Sequence, residues 1–275
     1  MSLYIASLNS GSNGNCYYIG NGHDAILVDA GISCKETEKR MARLGLSMKT
    51  VRAIFISHEH TDHIKGLPVL AAKYNLPVYI TKHTYHNSGM VMGSELINYL
   101  PVGATIHINK LAVTAFSKVH DAIEPQSFII EHNDVTIGVF TDIGRVCDDV
   151  ISHFKRCNAA FLEANYDSAM LDDGKYPIYL KNRIRGGKGH LSNAQALSLF
   201  KEHAPAYMSH LLLAHLSHDN NSPELVRNMF TAEAGKVNVV VATRYEETGL
   251  YHITPTKTQA PVYLTEHYTR QATLF

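Results

Sequence analysis

Ala53-Ile-Phe-Ile-Ser-His-Glu-His-Thr-Asp-His-Ile-Lys65 opens as an apolar run and closes on four groups that bind metal ions. Ala53, Ile54, Phe55 and Ile56 read as a buried strand, and a helical pattern begins just after His63. His58 and His60, two apart in extended backbone, project to one side of the strand end. Asp62 and His63 are adjacent where the chain turns, so they point elsewhere. Imidazole and carboxylate suit zinc, manganese or iron, and one four-ligand site cannot readily use all four groups, so the spacing predicts two ions. A polar turn after a core strand accounts for a single histidine, but not for three histidines and an aspartate within six residues.

The chain has 275 residues, enough for one large α/β domain or two small ones, and 45% of them are hydrophobic, as in globular proteins. Lys+Arg and Asp+Glu balance at 25 each, so overall charge calls for no acidic partner; any nucleic-acid contact must come from a local patch. Cys16, Cys34, Cys147 and Cys157 lie far apart with no C-x-x-C pair. That argues against a zinc ribbon or a disulfide framework and fits reduced thiols in the cytoplasm. The start, M-S-L-Y-I-A-S-L-N-S, lacks the basic and apolar stretches of a signal peptide, and no apolar run reaches membrane-spanning length.

Alternation predicts strands at 3–8, 17–19, 25–28, 53–56, 78–80, 105–108, 111–117, 127–131, 135–140, 161–162 and 237–242. Helical spacing marks 34–44 (capped by Ser33), 64–74, 148–156, 192–203 and 222–234, the last with Ser222 as cap and Pro223 at its first position. Residues 84–99 read as a helix or lid, and 255–275 as surface loop. Ser10-Gly-Ser-Asn-Gly-Asn-Cys16 reads as a hairpin loop, with a nest of backbone N–H groups able to hold an anion as a possible addition. Strands followed by helices, with ligands at strand ends, predict two sheets packed face to face with helices outside, in one domain over 1–275.

Three further groups sit where an apolar run gives out: His120 in S-K-V-H-D-A, Asp142 in F-T-D-I-G and His215 in L-L-L-A-H-L-S. The expected assignment gives His58, His60 and His120 to one ion, Asp62, His63 and His215 to the other, and Asp142 to both. Ions about 3.5–4 Å apart can share a water and hold the resulting hydroxide for in-line attack on an ester centre. Asp62 is also placed to orient that nucleophile or take its proton. Asp29, in L-V-D-A-G, is expected behind the ligands, holding an imidazole or the ligand turn.

L-V-D-A-G, S-H-E-H-T-D-H-I-K-G-L, His120, F-T-D-I-G and A-H-L-S, in this order, resemble the five motifs of the metallo-β-lactamase fold hydrolases, over roughly positions 3 to 245. The resemblance implies an α/β fold, a four-layer αββα sandwich with the metals at one edge of its sheets. F-L-E-A-N (161–165) and G-H-L-S (189–192) are similar to motifs of the transfer-RNA 3′-processing ribonucleases of this superfamily. There the Glu and His cooperate, so Glu163 would orient His190 as general acid. Leu162, Asn165 and Leu191 depart from that pattern. The whole set, with S-G-S-N-G-N-C and H-L-S-H-D-N-N, most resembles the bacterial WalJ/YycJ group, which implies a cytoplasmic 5′→3′ exonuclease acting on DNA with two divalent ions. A small-molecule ester or cyclic phosphodiester hydrolase of the same fold is the alternative.

Tyr179-Leu-Lys-Asn-Arg-Ile-Arg-Gly-Gly-Lys-Gly-His190 adds a basic run. In an extended reading Lys181, Arg183 and Arg185 share one face, with Lys188 on glycines beside His190, forming a cationic surface for a phosphate backbone. The alternative is a charged edge strand. Asn220 and Asn221 are placed to hold ligand loops, substrate phosphate or a plain turn. Tyr166, Tyr176 and Tyr179 are expected either to stack on bases or to pack in the core.

Overall fold

The computed structural model describes residues 2–255, so the loop expected over 255–275 lies, from position 256 on, outside the described residues. The first sheet contains, side by side in chain order, β1 (Leu3–Asn9), β2 (Cys16–Gly20), β3 (Ala25–Val28), β4 (Val51–Phe55), β5 (Val78–Ile80) and β6 (Ile97–Tyr99). A second sheet contains β7 (Thr105–Ile108), β8 (Leu111–Ser117), β9 (Gln126–His132), β10 (Val135–Phe140), β11 (Ala159–Glu163), β12 (His210–Ala214) and β13 (Asn238–Val241). The last described strand, β14 (Tyr251–Ile253), returns to the first sheet and pairs antiparallel with β1.

Each sheet is antiparallel in one half and parallel in the other. Strands β3 to β6 are mutually parallel, as are β10 to β13. Their register levels the carboxyl ends: Val28 lies opposite Phe55, Phe140 opposite Leu162, and Glu163 opposite Ala214. A row of strand exits therefore forms along one edge, where open α/β sheets bind their ligands.

Side-chain alternation builds four layers. Inward residues of the first sheet (Ile5, Ile26, Val28, Phe55) meet those of the second (Val113, Phe128, Ile137, Phe161) in one buried cluster between the sheets. Their neighbours point outward. Leu27, Ile54 and Ile56 pack under α1 (Cys34–Arg43) and, beyond the short α2 (Thr61–Ile64), under α3 (Leu67–Tyr74). Outward-facing Phe140, Leu162 and Leu213 are covered by the helices of the second sheet. α4 (Lys82–Ser88) precedes that sheet; after β10 come α5 (Asp148–Phe154), α6 (Ser168–Asp173), α7 (Ile178–Arg185), α8 (Asn193–His203) and α9 (Pro223–Thr231). Of these, α5, α8 and α9 supply Phe154, Phe200 and Phe230 to the outer cluster.

The expected four-layer αββα sandwich is the observed fold, and the Ser33 and Ser222 caps are in place, accepting from Glu36 and Leu225 backbone N–H groups. Two expectations need correction. The segment 84–99 is not one helix or lid: α4 ends at Gly89 in the left-handed region (φ 65°), and a 3₁₀ turn then leads into β6. The basic run over 181–185 is not extended but lies in α7, which follows Pro177 at its cap. No helix among the described residues is long and apolar enough to cross a membrane.

Candidate metal centre

Backbone packing builds the ligand turn before any side chain contributes. The 29–31 turn after β3 lies against the 58–66 turn after β4: Ala30 N donates to His63 O, Asn15 N to Asp62 O and Gly66 N to Ala30 O, at 2.7–2.8 Å. A Cβ on Gly31 would stand 1.7 Å from the Asp62 carbonyl oxygen, and one on Gly66 1.8 Å from that of Ile32. Only glycine permits this approach. Asp29, Asp142 and His215, each just past a strand end, take left-handed φ values of 62°, 54° and 56°. Such backbone costs roughly 1–3 kcal/mol per residue and persists where neighbours over-determine it. Here the Asp29 carboxylate accepts from Ser57 N at 2.8 Å, and His215 is held by Ser10 Oγ at its N–H (2.7 Å) and by Asn165 Nδ2 at its carbonyl (2.8 Å).

The structure brings all seven sequence-predicted ligands to this edge. His60 Nδ1 lies 3.1 Å from His58 Nε2 and 3.4 Å from His120 Nε2. In the second set, Asp62 Oδ2 lies 3.4 Å from His215 Nε2 and 3.5 Å from His63 Nε2. Asp142 reaches across both, with Oδ2 3.2 Å from His63 Nε2 and Oδ1 3.5 Å from His215 Nε2 and 3.9 Å from His120 Nε2. Each three-residue set keeps its donor atoms within 4.8 Å of one another.

The nitrogens facing away are tied down, which sets what the inner ones can do. His58 Nδ1 bonds Ser57 Oγ (2.9 Å), His63 Nδ1 bonds Asp29 Oδ2 (2.7 Å), His120 Nδ1 bonds Gly189 O (2.9 Å) and His215 Nδ1 faces Glu163 Oε1 (3.2 Å). Asp29 thus does both things expected of it, holding an imidazole and, through Ser57, the ligand turn. Donation from the outer nitrogens leaves inner lone pairs converging on one another, an arrangement that fits cations between them. Asp142 Oδ2 is consistent with this: it is buried without a hydrogen bond of acceptable geometry, although His63 Nε2 stands close. The donor chemistry, five imidazoles that ligate when neutral together with the carboxylates of Asp62 and Asp142, fits divalent ions.

Electrostatics follow from burial beside charge. Burial opposes ionisation of Asp62 and Asp142, but His63 and His215 outweigh it and hold both carboxyls far below the usual range. Burial also works against a charged His63, yet Asp142, Asp29 and Asp62 raise it well above an ordinary imidazole. In His215 the same contest, with Asp142, Asp62 and Glu163 opposing burial, pushes the pKa up to about 10. Burial pulls His120 down to about 4 and His58 well below its usual value. Without metal, protons on His63 and His215 balance the buried carboxylates.

Beside the seven stands a second pair. Glu163, fully buried, accepts from His190 Nδ1 at 2.7 Å with Oε1, and from the Ile143 and Leu191 amides at 2.8 and 3.1 Å with Oε2. Burial raises its pKa, but His190 and His215 bring it down to about 2. The His190 ring stacks on His215 with centroids 5.2 Å apart.

The basic run does not form the single cationic face expected of it. Helical spacing separates Arg183 from Lys181 and Arg185. Lys181 is buried and donates to Asp172 O (2.6 Å), Arg185 pairs with Asp172 (2.7 Å) and Arg183 with Asp121 (2.6 Å). Lys188 is exposed two residues before His190, and Arg183 lines the cleft over His190 and His215. Tyr166 is buried, Tyr176 donates to Asp219 (2.8 Å), and Tyr179 is 73% exposed, so it is not a core residue.

Sequence reasoning anticipated Asp29 and Asn221 but missed Asn15 among the residues that hold the ligands. Asn15 Nδ2 lies 3.1 Å from both Asp62 Oδ2 and His63 Nε2. Its signal was present in the Gly/Asn loop, read there only as a hairpin or anion nest. Asn221 Nδ2 donates to the carbonyls of Ala164 and Asn165 and to Asn193 Oδ1 at 2.8–3.0 Å, so among its possible roles it holds ligand loops.

Four layers, with a histidine–aspartate cluster at the carboxyl edge of two facing sheets, define a metal-dependent hydrolase of the metallo-β-lactamase fold. Residues 24–215 match the family model described as beta-lactamase superfamily domain, and the chain belongs to that superfamily as a WalJ/YycJ-like metallohydrolase. Exodeoxyribonuclease YycJ of Bacillus anthracis is 38% identical over 230 residues, 82% of this chain and 87% of that protein. Exodeoxyribonuclease WalJ of Streptococcus pneumoniae serotype 2 is 31% identical over 245 residues, 87% of this chain and 91% of that one. Among solved structures, the metallo-beta-lactamase fold protein YhfI of Bacillus subtilis superposes with a TM-score of 0.71 at 16% identity, covering 91% of this chain and 99% of the other.

Proposed function

We propose that the chain is a two-ion phosphodiesterase that degrades DNA in the cytoplasm, from the 5′ end. The observation that carries this reading is the pairing of His58/His60/His120 with Asp62/His63/His215, with Asp142 in reach of both sets. DNA as substrate is supported by relatives named exodeoxyribonucleases, aligned over 87% and 91% of their lengths. The 5′→3′ polarity is the one implied by resemblance to their group.

Divalent zinc, manganese or iron in such a set supplies charge to neutralise phosphate oxygens and lowers the pKa of water. The side chains do the rest. Asp62, steadied by Asn15, orients the attacking water and takes its proton. His190 gives a proton to the leaving oxygen through Nε2, which has no hydrogen-bond partner among the described residues, while Glu163 fixes its ring and stabilises its charge through Nδ1. Lys188 is the exposed member of the basic run left to meet phosphate, while Arg183 lines the cleft paired with Asp121.

The test is a panel of end-labelled DNA and RNA substrates with zinc and with manganese. His58→Ala and Asp142→Asn are expected to abolish cleavage; wild-type rates in either variant, with metal content checked, would refute the reading. The small-molecule alternative would show as turnover of a small ester or cyclic diester with no cut in any nucleic acid.

A further inference from the structure

The loop joining β1 to β2 serves the metal centre through one end. Asn15 reaches Asp62 and His63, and its Oδ1 accepts from Gly11 N at 3.0 Å. The tip is free of that duty. Ser12 and Asn13 are exposed, and neither backbone N–H has an acceptor among the described residues. Beside the tip lies Arg244, whose Nη2 donates to Ser12 Oγ at 2.8 Å and whose Cβ packs over Gly11.

This arginine differs from most of the described ones. Arg43, Arg52, Arg156, Arg183 and Arg185 each pair with a carboxylate. Among the described residues none pairs with Arg244. Asp219, which feels its charge, is bonded instead to the Tyr176 hydroxyl (2.8 Å) and His218 Nδ1 (2.9 Å). The position is also rigid. Arg40, buried on α1, donates to Leu8 O (2.8 Å), Asn9 Oδ1 (2.7 Å) and Tyr245 O (3.1 Å), tying the 243–245 turn to the end of β1. Asn13 Nδ2 donates to Arg244 O (3.1 Å), and Ser10 N to Thr243 O (3.1 Å). Ser12 finally lines the same cleft as His190 and His215.

We propose that Ser12, Asn13 and Arg244 form a second phosphate subsite, taking a phosphodiester of the strand that is not the one being cut. The inference rests on the exonuclease reading and adds to it. Two adjacent unpaired amides, a hydroxyl and a forked cation are the donors that a phosphate oxyanion accepts. Occupied, the subsite holds the strand in register, so that the scissile phosphate reaches the metal centre by position and without any reading of bases.

The experiment is fluorescence anisotropy of the full, metal-loaded chain with a labelled single-stranded phosphorothioate 12-mer of DNA, over a series of salt concentrations. Arg244→Ala is expected to weaken binding roughly tenfold. It also lowers the slope of log affinity on log salt by about 0.7, the share of one single-strand phosphate contact. Arg244→Gln, which keeps a donor for Ser12 without charge, loses the same slope, whereas Arg244→Lys keeps it. Unchanged affinity and slope in Arg244→Ala overturn the proposal, and so does weaker binding with an unchanged slope, the mark of a merely structural arginine. A wild-type chain that binds no 12-mer at any salt overturns the exonuclease reading together with it; a wild type that binds and cuts DNA, with Arg244→Ala indistinguishable from it, overturns the subsite alone.

Discussion

Replacing Glu163 by glutamine removes one charge and no volume, and the surroundings dictate the result. Oε2 accepts two backbone amides, and Oε1 faces the Nδ1 atoms of His190 and His215. A glutamine must turn its NH₂ group toward one of these pairs. Facing the amides, it opposes donor to donor, an unsatisfied burial costing about 1–3 kcal/mol. Facing the histidines, it forces both rings to accept at Nδ1 and to carry their proton on Nε2. For His215 that is the nitrogen facing Asp62 and Asp142, so metal affinity falls; for His190 it removes the carboxylate that sustains a positive ring. With metal supplied in excess and its content verified, kcat on end-labelled DNA is expected to fall roughly 10²–10⁴-fold, the usual worth of a general acid, with KM little changed. Glu163→Ala should lose more stability, since the Ile143 and Leu191 amides are then left without an acceptor. A Glu163→Gln enzyme within about threefold of wild-type kcat at equal metal content would refute the assignment of His190 and Glu163.

Asn15→Ala, which frees Asp62 and His63 from their shared donor, is expected to weaken metal binding about 10–100-fold, read by competition with a chelator. Wild-type metal affinity in that variant would remove Asn15 from the centre. The raised pKa values of His63 and His215 set the pH dependence of metal loading. In the metal-free chain His215 stays protonated until the pH passes about 10, and a cation needs the neutral ring, so loading at neutral pH releases protons and apparent affinity rises with pH. Calorimetry in buffers of different ionisation heat measures the release; its absence would contradict the protonated resting state.

Much of the centre was legible because its ligands fall at strand exits, where apolar alternation stops and a polar residue stands out. His58, His60, Asp62 and His63 announce themselves by spacing, and His120, Asp142 and His215 by following apolar runs. The basic run was misread because its charges were taken by alternation although Leu, Lys and Arg favour helix, while Pro177 and the carboxylates Asp121 and Asp172, which decide its shape and charge, lie outside it. Strand β6 escaped, and helix α4 was read only as part of a longer segment, because both are short and half exposed, leaving little periodicity to detect.

By itself the sequence determined the layered fold and the identity of the seven candidate ligands, since both depend on local patterns of polarity that secondary structure converts directly into faces and ends. Only the tertiary structure decided which atoms face one another. The left-handed turns at Asp29, Asp142 and His215, the reach of Asn15 from the β1–β2 loop into the centre, and the four-way grip of Glu163 depend on parallel strands ending level and on two sheets stacking face to face. Those are contacts between residues as much as 205 positions apart, as for His215 N to Ser10 Oγ, and no local pattern encodes them.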